Sequence, residues 1–371
     1  MNTFLLYLPL FLLSFCTSAE IKNENSIDNK YNLHIEEINF DLGKSVFSSK
    51  VVFPYSAAWQ EDKLIFFNRF ENSFDTLNFN DRQYKLGKSF DLEGPYSLPK
   101  FSSFYLRDQE LYLFSGDKFY FFDQEEGSRK IGFENGTENP SFSFLHKACI
   151  QCSDVVSKVT VHQRNPDQYF LEHIEHLIRG DIYFEETPFN EILLKRKLKY
   201  SSSAYSISSD PSLFFVEFSN IGIVSFDFDS KIHLMKSAGE IDETRTFEFK
   251  EMDSEKKKIM LPENAGVKEF LEMKKEWDNE VSFGPIYAVP GQDLLFRVIK
   301  SQVYDLSTDE RKTFLQLLDS DLKEVLITLL DEDAPDLSGE YFTLSNGIYL
   351  AKHTDSEDVI SYYRVSISEA F

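Results

Sequence analysis

The chain reads as an all-β protein, a six-bladed β-propeller of four-stranded antiparallel blades, closed by an N-terminal strand and carrying one inserted amphipathic helix near residues 265–280. Three observations lead there. Residues 101–133 hold four short apolar runs, at 101–106, 110–114, 117–122 and 129–133, with little but turns between them. The breaks, Arg107-Asp108-Gln109, Ser115-Gly116 and Asp123-Gln124-Glu125-Glu126-Gly127, supply the Gly, Asp and Ser of tight hairpins, so the segment is a four-stranded meander. The same unit recurs loosely on both sides. Finally, 37 Phe and 18 Tyr against 15 Gly give ample bulky material for packing sheet on sheet.

In chain order, residues 4–15 are apolar apart from Tyr7, Pro9 and Ser14, the length of a signal-peptide core and too short to span a bilayer. Two processing routes follow from the flanking residues. Thr17-Ser18-Ala19 suits cleavage before Glu20, making 1–19 the signal peptide. Leu13-Ser14-Phe15-Cys16 has the form of a lipobox, making 1–15 the signal and Cys16 a lipidation site, although Phe15 stands where that pattern takes a small residue. Residues 20–45 form an N-terminal segment with a candidate ring-closing strand at 34–40, or else at 46–53. The propeller occupies 46–371 as one domain.

Blades are expected near 55–92, 101–133, 141–186, 200–236 and 283–330. The first has strands at 63–67, 74–79 and 84–92; the fourth has them at 204–207, 213–218, 221–228 and 231–235. The last blade supplies only 340–344, 347–351 and 358–367. A strand from the other end of the chain completes it, removes an open edge and ties the termini together. Asn80-Asp81 reads as the second hairpin of the first unit, and Asp229-Ser230, Asp123 and Asp319 as similar turns between third and fourth strands, where a carboxylate or amide caps the hairpin. Residues 265–280 place Val267, Phe270, Leu271, Met273 and Trp277 at helical spacing, so Phe270, Leu271 and Trp277 are expected to pack against the ring. The charge-dense stretch 242–258 reads as a long hairpin or loop.

At these residues the chain resembles a known family. Residues 61–67 (Glu-Asp-Lys-Leu-Ile-Phe-Phe), Leu92-Glu93-Gly94-Pro95-Tyr96 and the 104–127 unit look like a bacterial cell-envelope family of TolB-like six-bladed propellers, a domain of unknown function with many lipoprotein members. Phe283-Gly284-Pro285-Ile286-Tyr287, Leu294-Leu295-Phe296-Arg297-Val298 and Asn346-Gly347-Ile348-Tyr349-Leu350 agree, and the likeness runs from about residue 50 to the end. It implies the fold, an envelope location and lipidation at Cys16. It brings no catalytic residues.

The formal charge of −23 repels nucleic-acid phosphates and anionic lipid, so no nucleic acid is expected as a partner, and a lipid anchor at Cys16 is the one membrane attachment on offer. The basic runs 195–199 and 256–258 read as solvated surface, the first as an exposed strand. Cys149 and Cys152 read as a structural disulfide or buried thiols, since no helix start, following His or second Cys pair supports redox, haem or zinc chemistry. His162, His173 and His176 lack the order of a zinc peptidase, and no metal or other cofactor is expected. Arg69 and Arg297 lie near apolar strands, where a charge needs a partner or a solvated channel; with Glu93 and Tyr96 on an inter-blade turn they are the candidate binding residues. The function expected is an exported binding module for a protein, peptide or glycan at the cell envelope, free in the periplasm or medium if cleaved after Ala19. A hydrolase or lyase using channel-facing acids or histidines, and a structural subunit of a surface complex, are the competing readings.

Overall fold

The computed structural model describes residues 19–20, 30–43, 57–60, 62–94, 96–101, 103–107, 110–115, 118–123, 127–130, 157–162, 165–173, 184–186, 188–201, 206–209, 211–219, 221–235, 241–257, 261–262, 265–304, 310–354, 356 and 358–370. Strands β1 (Ala19–Glu20) and β2 (Tyr31–Asp41) come first and pair with each other. Sheet 1 holds β3 (Ala57–Gln60), β4 (Lys63–Asn68), β5 (Ser73–Asn78) and β6 (Gln83–Lys85). Sheet 2 holds β7 (Ser103–Arg107), β8 (Glu110–Ser115), β9 (Lys118–Asp123) and β10 (Gly127–Lys130). Sheet 3 holds β11 (Ser157–His162), β12 (Asn165–His173) and β13 (Phe184–Glu186). Helix α1 (Asn190–Arg196) and the hairpin β14 (Leu198–Ser201) and β15 (Ser206–Ser209) lead into sheet 4, β16 (Leu213–Phe218), β17 (Ile221–Phe226), β18 (Ile232–Met235) and β19 (Ile241–Arg245). Helix α2 (Val267–Asp278) precedes sheet 5. There β20 (Ser282–Phe283) and β21 (Tyr287–Ala288) share a neighbour in β22 (Leu294–Lys300), followed by β23 (Thr313–Asp319) and β24 (Glu324–Leu329). Sheet 6 is β25 (Leu337–Leu344), β26 (Gly347–Lys352) and β27 (Val359–Glu369), with β2 as its next strand.

Each sheet is built of antiparallel neighbours, and four pairs of sheets pack face to face among the described residues: 2 on 1, 1 on 6, 6 on 5 and 5 on 4. Burial alternates along β4 and β5 as a half-covered strand requires. In β22 and β23 the first six residues are all buried, because sheet 5 lies between two neighbours. Phe104, Leu113 and Phe122 of sheet 2 meet Ile65, Phe67 and Phe74 of sheet 1. Leu64, Phe66 and Leu77, from the other face of sheet 1, meet Phe40, Phe342, Tyr349 and Tyr362 of sheet 6. Sheet 6 meets sheet 5 through Ile348, Leu350 and Val365 against Phe296 and Leu317. Sheet 5 in turn meets sheet 4 through Leu295 and Leu318 against Val216, Ile223 and Ile232. Beyond sheet 4, Leu213, Val224 and Phe226 pack on Phe189 and Leu193 near and within α1, Leu198 of β14, and Phe270 and Trp277 of α2. This is a propeller-type succession of blades. The chain ends meet in it, since β2 pairs with β27 over eleven residues, from Tyr31 opposite Glu369 to Asp41 opposite Val359.

The expected strands of the first, second and sixth units stand within a few residues of those observed, and the strands of sheet 5 fall within the range 283–330 apart from one residue at its start. The strand expected at 84–92 ends at Lys85, and a further strand, β3, opens the unit, so that the Asn80 turn joins its third and fourth strands. In the fourth unit the first expected strand lies outside sheet 4: residues 206–209 pair with β14, and the fourth strand is β19, whose sequence Ile-Asp-Glu-Thr-Arg is too polar to read as a strand. Its residues 241–244 are exposed, and an outer strand facing water needs no apolar alternation. Asp229-Ser230 therefore lies between the second and third strands. The turns at Asn80 and Asp319 do join third to fourth strands. They are capped by Asn78, whose Oδ1 accepts the amides of Asn80 (3.1 Å) and Asp81 (3.3 Å), and by Asp319, whose Oδ1 accepts those of Asp321 (3.0 Å) and Lys323 (2.8 Å). In α2, Phe270 and Trp277 are buried as expected, whereas Leu271 points to solvent at 55% exposure. Among the described residues no helix is long and apolar enough to cross a membrane.

Candidate functional site

In a meander, turns joining first to second and third to fourth strands fall at one end of each sheet, here termed lower. Turns joining second to third strands, and the connections between sheets, fall at the upper end. Neighbouring sheets keep the same sense. At the lower end, Ser345 in the β25–β26 turn donates to Asp62 of the β3–β4 turn from its amide (3.1 Å) and its hydroxyl (2.6 Å). At the upper end, Lys300 Nζ at the close of β22 donates to the Ser338 carbonyl at the start of β25 (2.9 Å), and the Phe283 amide donates to the Asp227 carbonyl beyond β17 (3.1 Å). Features from distant sheets can therefore be compared by end.

The most elaborate polar construction lies at the upper end of sheet 4, where the β17–β18 turn, residues 227–231, is overlaid by the segment 246–257 that leaves β19. The segment has no regular structure of its own and is held by pairing. The Ser230 amide donates to the Ser254 carbonyl (2.8 Å), the Lys256 amide to the Phe228 carbonyl (2.7 Å), and the Ser230 hydroxyl to the Phe247 carbonyl (2.6 Å). Four charged side chains lock these layers together. Lys256 Nζ, buried, lies 3.5 Å from Asp227 Oδ2 and 4.8 Å from the centre of the Trp277 ring. Burial raises the pKa of the Asp227 carboxyl and lowers that of the Lys256 ammonium, while the attraction between them opposes both shifts. Arg196, the last residue of α1, donates to the Lys256 carbonyl (2.8 Å), pairs with Glu255 and covers the Phe228 ring at 5.0 Å. The runs at 195–199 and 256–258 are thus not simply solvated surface, since Arg196 and Lys256 are buried fasteners. The helical spacing of Phe189, Leu193 and Arg196 is the signal that marks Arg196 as part of an inward face.

Between turn and overlay opens a cleft of about 420 Å³, bordered by Asp229, Ser230, Lys231, Glu248, Phe249, Met252, Asp253 and Glu255. Asp229 accepts the Lys231 amide (3.2 Å) and lies 3.8 Å from Lys231 Nζ; its burial raises its pKa. Glu248 and Asp253 are exposed, and their carboxylates have no partner among the described residues. A second cleft, of about 370 Å³, lies at the lower end between sheets 4 and 5, with Ile221, Ile223, Leu234 and Leu322 among its borders.

The residues singled out from sequence fall in two places. Arg297 is fully buried in β22, directly behind the cleft. Its Nε donates to Gln316 Oε1 (2.7 Å) and its Nη2 to the Ser230 carbonyl (3.0 Å), and its guanidinium covers the Phe283 ring at 5.0 Å. Burial pulls its pKa down to about 10. It therefore fastens sheet 5 to the sheet 4 turn, through a carbonyl and an amide in place of the acid expected. Arg69, Glu93 and Tyr96 lie far from it in sequence but on the same end. Arg69 is an exposed residue of the β4–β5 turn, not part of a strand, and Asn72 of that turn bonds to the loop carrying Glu93 and Tyr96, from its Nδ2 to the Phe90 carbonyl (2.8 Å). Cys16, Cys149, Cys152 and His176 lie outside the described residues. His162 and His173 stand at opposite ends of the β11–β12 ladder, five positions apart, a separation of roughly 16 Å along the strand. Among the described residues no three His, Cys, Asp or Glu side chains are grouped to hold a metal ion.

No protein-family model and no curated sequence matches the chain. Among solved structures, a member of the DUF4221 family from Bacteroides vulgatus aligns with 93% of this chain and 100% of its own, with a TM-score of 0.61 at 12% identity. Regucalcin, a calcium-binding protein from Agrobacterium tumefaciens, aligns with 89% of this chain and 95% of its own, with a TM-score of 0.40 at 9% identity. A streptogramin B lyase aligns with 92% and 100%, with a TM-score of 0.35 at 12% identity. The first likeness is one of fold, to a family whose function is unknown; the other two are remote.

Proposed function

We propose that this chain is an exported recognition module of the cell envelope, a six-bladed TolB-like propeller closed by β2, which binds a peptide or glycan in the upper cleft of sheet 4. The observation that carries the reading is the cleft itself. Its walls are cross-braced by Arg297, Lys256 and Arg196, while Glu248 and Asp253 on its rim are free to accept hydrogen bonds. A rigid scaffold presenting adaptable acceptors beside Phe249 and Met252 suits a ligand with ammonium or hydroxyl groups and some apolar surface. Export rests on the apolar run at 4–15, and anchoring on Cys16.

The test is a thermal-shift and calorimetric screen of the full-length chain against peptide and oligosaccharide panels, followed by the double variant Glu248→Gln, Asp253→Asn. A ligand at a hundred times its Kd stabilises the fold by about 2.7 kcal/mol. The variant is expected to lose about tenfold or more in affinity with unfolding unchanged within about 0.5 kcal/mol. Ligand binding unaffected by the variant, or none across both panels, overturns the reading.

A further inference from the structure

A second feature of the upper end is independent of the cleft. Four of the eight large apolar side chains exposed among the described residues lie within 27 positions of each other, at one corner of sheet 1: Phe70 (61%), Leu86 (45%), Leu92 (85%) and Tyr96 (46%). Their exposure is built in. The loop that carries Leu92 and Tyr96 is braced to the β4–β5 turn, since the Phe90 amide donates to the Asn72 carbonyl (2.8 Å), the Asn72 side chain returns the bond to Phe90, and Ser73 bridges to Ser89. Farther along, Asp91 bridges to Ser97, whose amide and hydroxyl both donate to the Gly94 carbonyl (3.2 and 2.7 Å). Phe90 anchors the loop by setting its ring edge-on to Phe74 (5.7 Å) and Phe122 (5.2 Å). Two residues later Leu92 stands almost wholly in water. Apolar groups held out by a braced loop, in a cluster, mark a contact surface.

The charges around them indicate what it contacts. Arg69, Lys85, Lys88 and Lys100 lie one to four positions from these residues, in or next to the same turn and loop, all exposed and none in an ion pair among the described residues. The same turn and loop carry three carboxylates, Glu71, Asp91 and Glu93, in a chain where acids outnumber bases 62 to 39. A strongly acidic chain thus keeps four uncommitted cations beside half of the large apolar side chains that are exposed among the described residues. We propose that this corner docks an acidic peptide segment of a partner protein, its apolar side chain seated among Phe70, Leu92 and Tyr96 and its carboxylates met by Arg69, Lys85, Lys88 and Lys100. A bilayer fits less well: a flat anionic surface across the upper end also meets the rim carboxylates Glu248 and Asp253, which a peptide at this corner avoids.

The test is fluorescence anisotropy of the full-length chain with labelled twelve-residue peptides, each with Asp and Glu flanking one Leu or Phe, against charge-reversed and apolar-deleted controls. Acidic peptides are expected to bind, losing about tenfold or more in affinity in Phe70→Ser, Leu92→Ser, the same in Lys85→Glu, Lys88→Glu, and weakening further as salt rises. Both pairs are solvent-facing, and an unchanged unfolding midpoint confirms that they fold. Glu248→Gln, Asp253→Asn is expected to leave this binding intact, which separates it from the cleft. Equal binding of basic peptides, insensitivity to both pairs, binding to anionic vesicles in preference to peptide, or dimerisation of the chain through this corner by light scattering would each overturn the proposal.

Discussion

Asp75 shows how much of this fold is decided by single buried polar groups. Its carboxylate is fully buried in β5 and accepts from Asn68 Nδ2 (2.9 Å), the Ser73 hydroxyl (2.6 Å), the Tyr84 hydroxyl (2.6 Å) and the Gly87 amide (2.9 Å). The last bond brings the chain so close to β5 that a Cβ on Gly87 would sit 1.9 Å from the Phe74 carbonyl oxygen. Gly87→Ala must therefore move backbone and break the amide bond to Asp75, and is expected to destabilise the protein by about 2 kcal/mol or more in urea unfolding. An unchanged midpoint would show that the loop is not held there. His233 supplies a pH test. Buried beside Phe189 and Phe226, with Nδ1 2.9 Å from Thr244 Oγ1, it has its pKa lowered from 6.5 to about 4, by burial first and by Lys231 second. As pH falls below 6.5 the unfolded chain takes up this proton while the folded chain does not, so stability falls until about pH 4 and then levels. His233→Phe is expected to lose less stability than the parent between pH 7 and 4.5, and an equal loss would remove His233 from the account. Little of this was legible beforehand. Arg297 stood out as a charge inside an apolar strand, but its partners, a carbonyl 67 positions away and an amide, carry no mark in sequence.

Elements were read best where local chemistry and long-range packing agree. The meander of sheet 2 announces itself because its runs are apolar and its breaks are turn-formers, and observed strands fall within a few residues of those runs. Sheet 4 was misread for the converse reason. Its outer strand β19 faces water and looks like a loop, while residues 204–207 look like a strand and belong in part to a different hairpin. That displacement hid the candidate site, since it put Asp229 at the wrong end of its sheet. Helix α2 gives the element-scale test. Phe270 and Trp277, seven positions apart, share the buried stripe and pack with Leu213, Phe226 and Phe228, whereas Leu271 lies off that stripe. Trp277→Ala removes both that packing and the ring under Lys256, and is expected to cost about 3–5 kcal/mol. Leu271→Ala is expected to change stability by no more than about 0.5 kcal/mol. Similar losses from the two would place the helix in a different rotation about its axis.

At the scale of the whole molecule, packed faces link sheet 2 to sheet 1, sheet 1 to sheet 6, sheet 6 to sheet 5 and sheet 5 to sheet 4. The link between sheets 6 and 1 brings together residues from the two ends of the chain. Here β2 lies along β27 for eleven residues and sends Ile38 and Phe40 into the core shared by sheets 6 and 1, with Phe40 set edge-on to Phe79 (4.9 Å) and Tyr362 (6.1 Å). The same junction carries Glu36, which pairs with Arg364 of β27 (2.7 Å) and with Arg82 of the β5–β6 turn (2.8 Å). Residues from three distant parts of the sequence thus meet at one strand, and the energy of that strand belongs to the whole. A chain beginning at residue 30 keeps this contact and is expected to unfold in one sharp transition. A chain beginning at residue 43 loses five buried apolar side chains, Tyr31, Ile35, Ile38, Phe40 and Leu42, the larger of them worth about 2–5 kcal/mol each, together with the ladder to β27, against a total stability of about 5–15 kcal/mol. It is expected to lose its near-ultraviolet circular dichroism and its cooperative melt, and to regain part of both when a synthetic peptide of residues 31–41 is added. If the shorter chain melts as sharply and at the same temperature as the longer one, the strand is an ornament on sheet 6 and the sheets hold together without it.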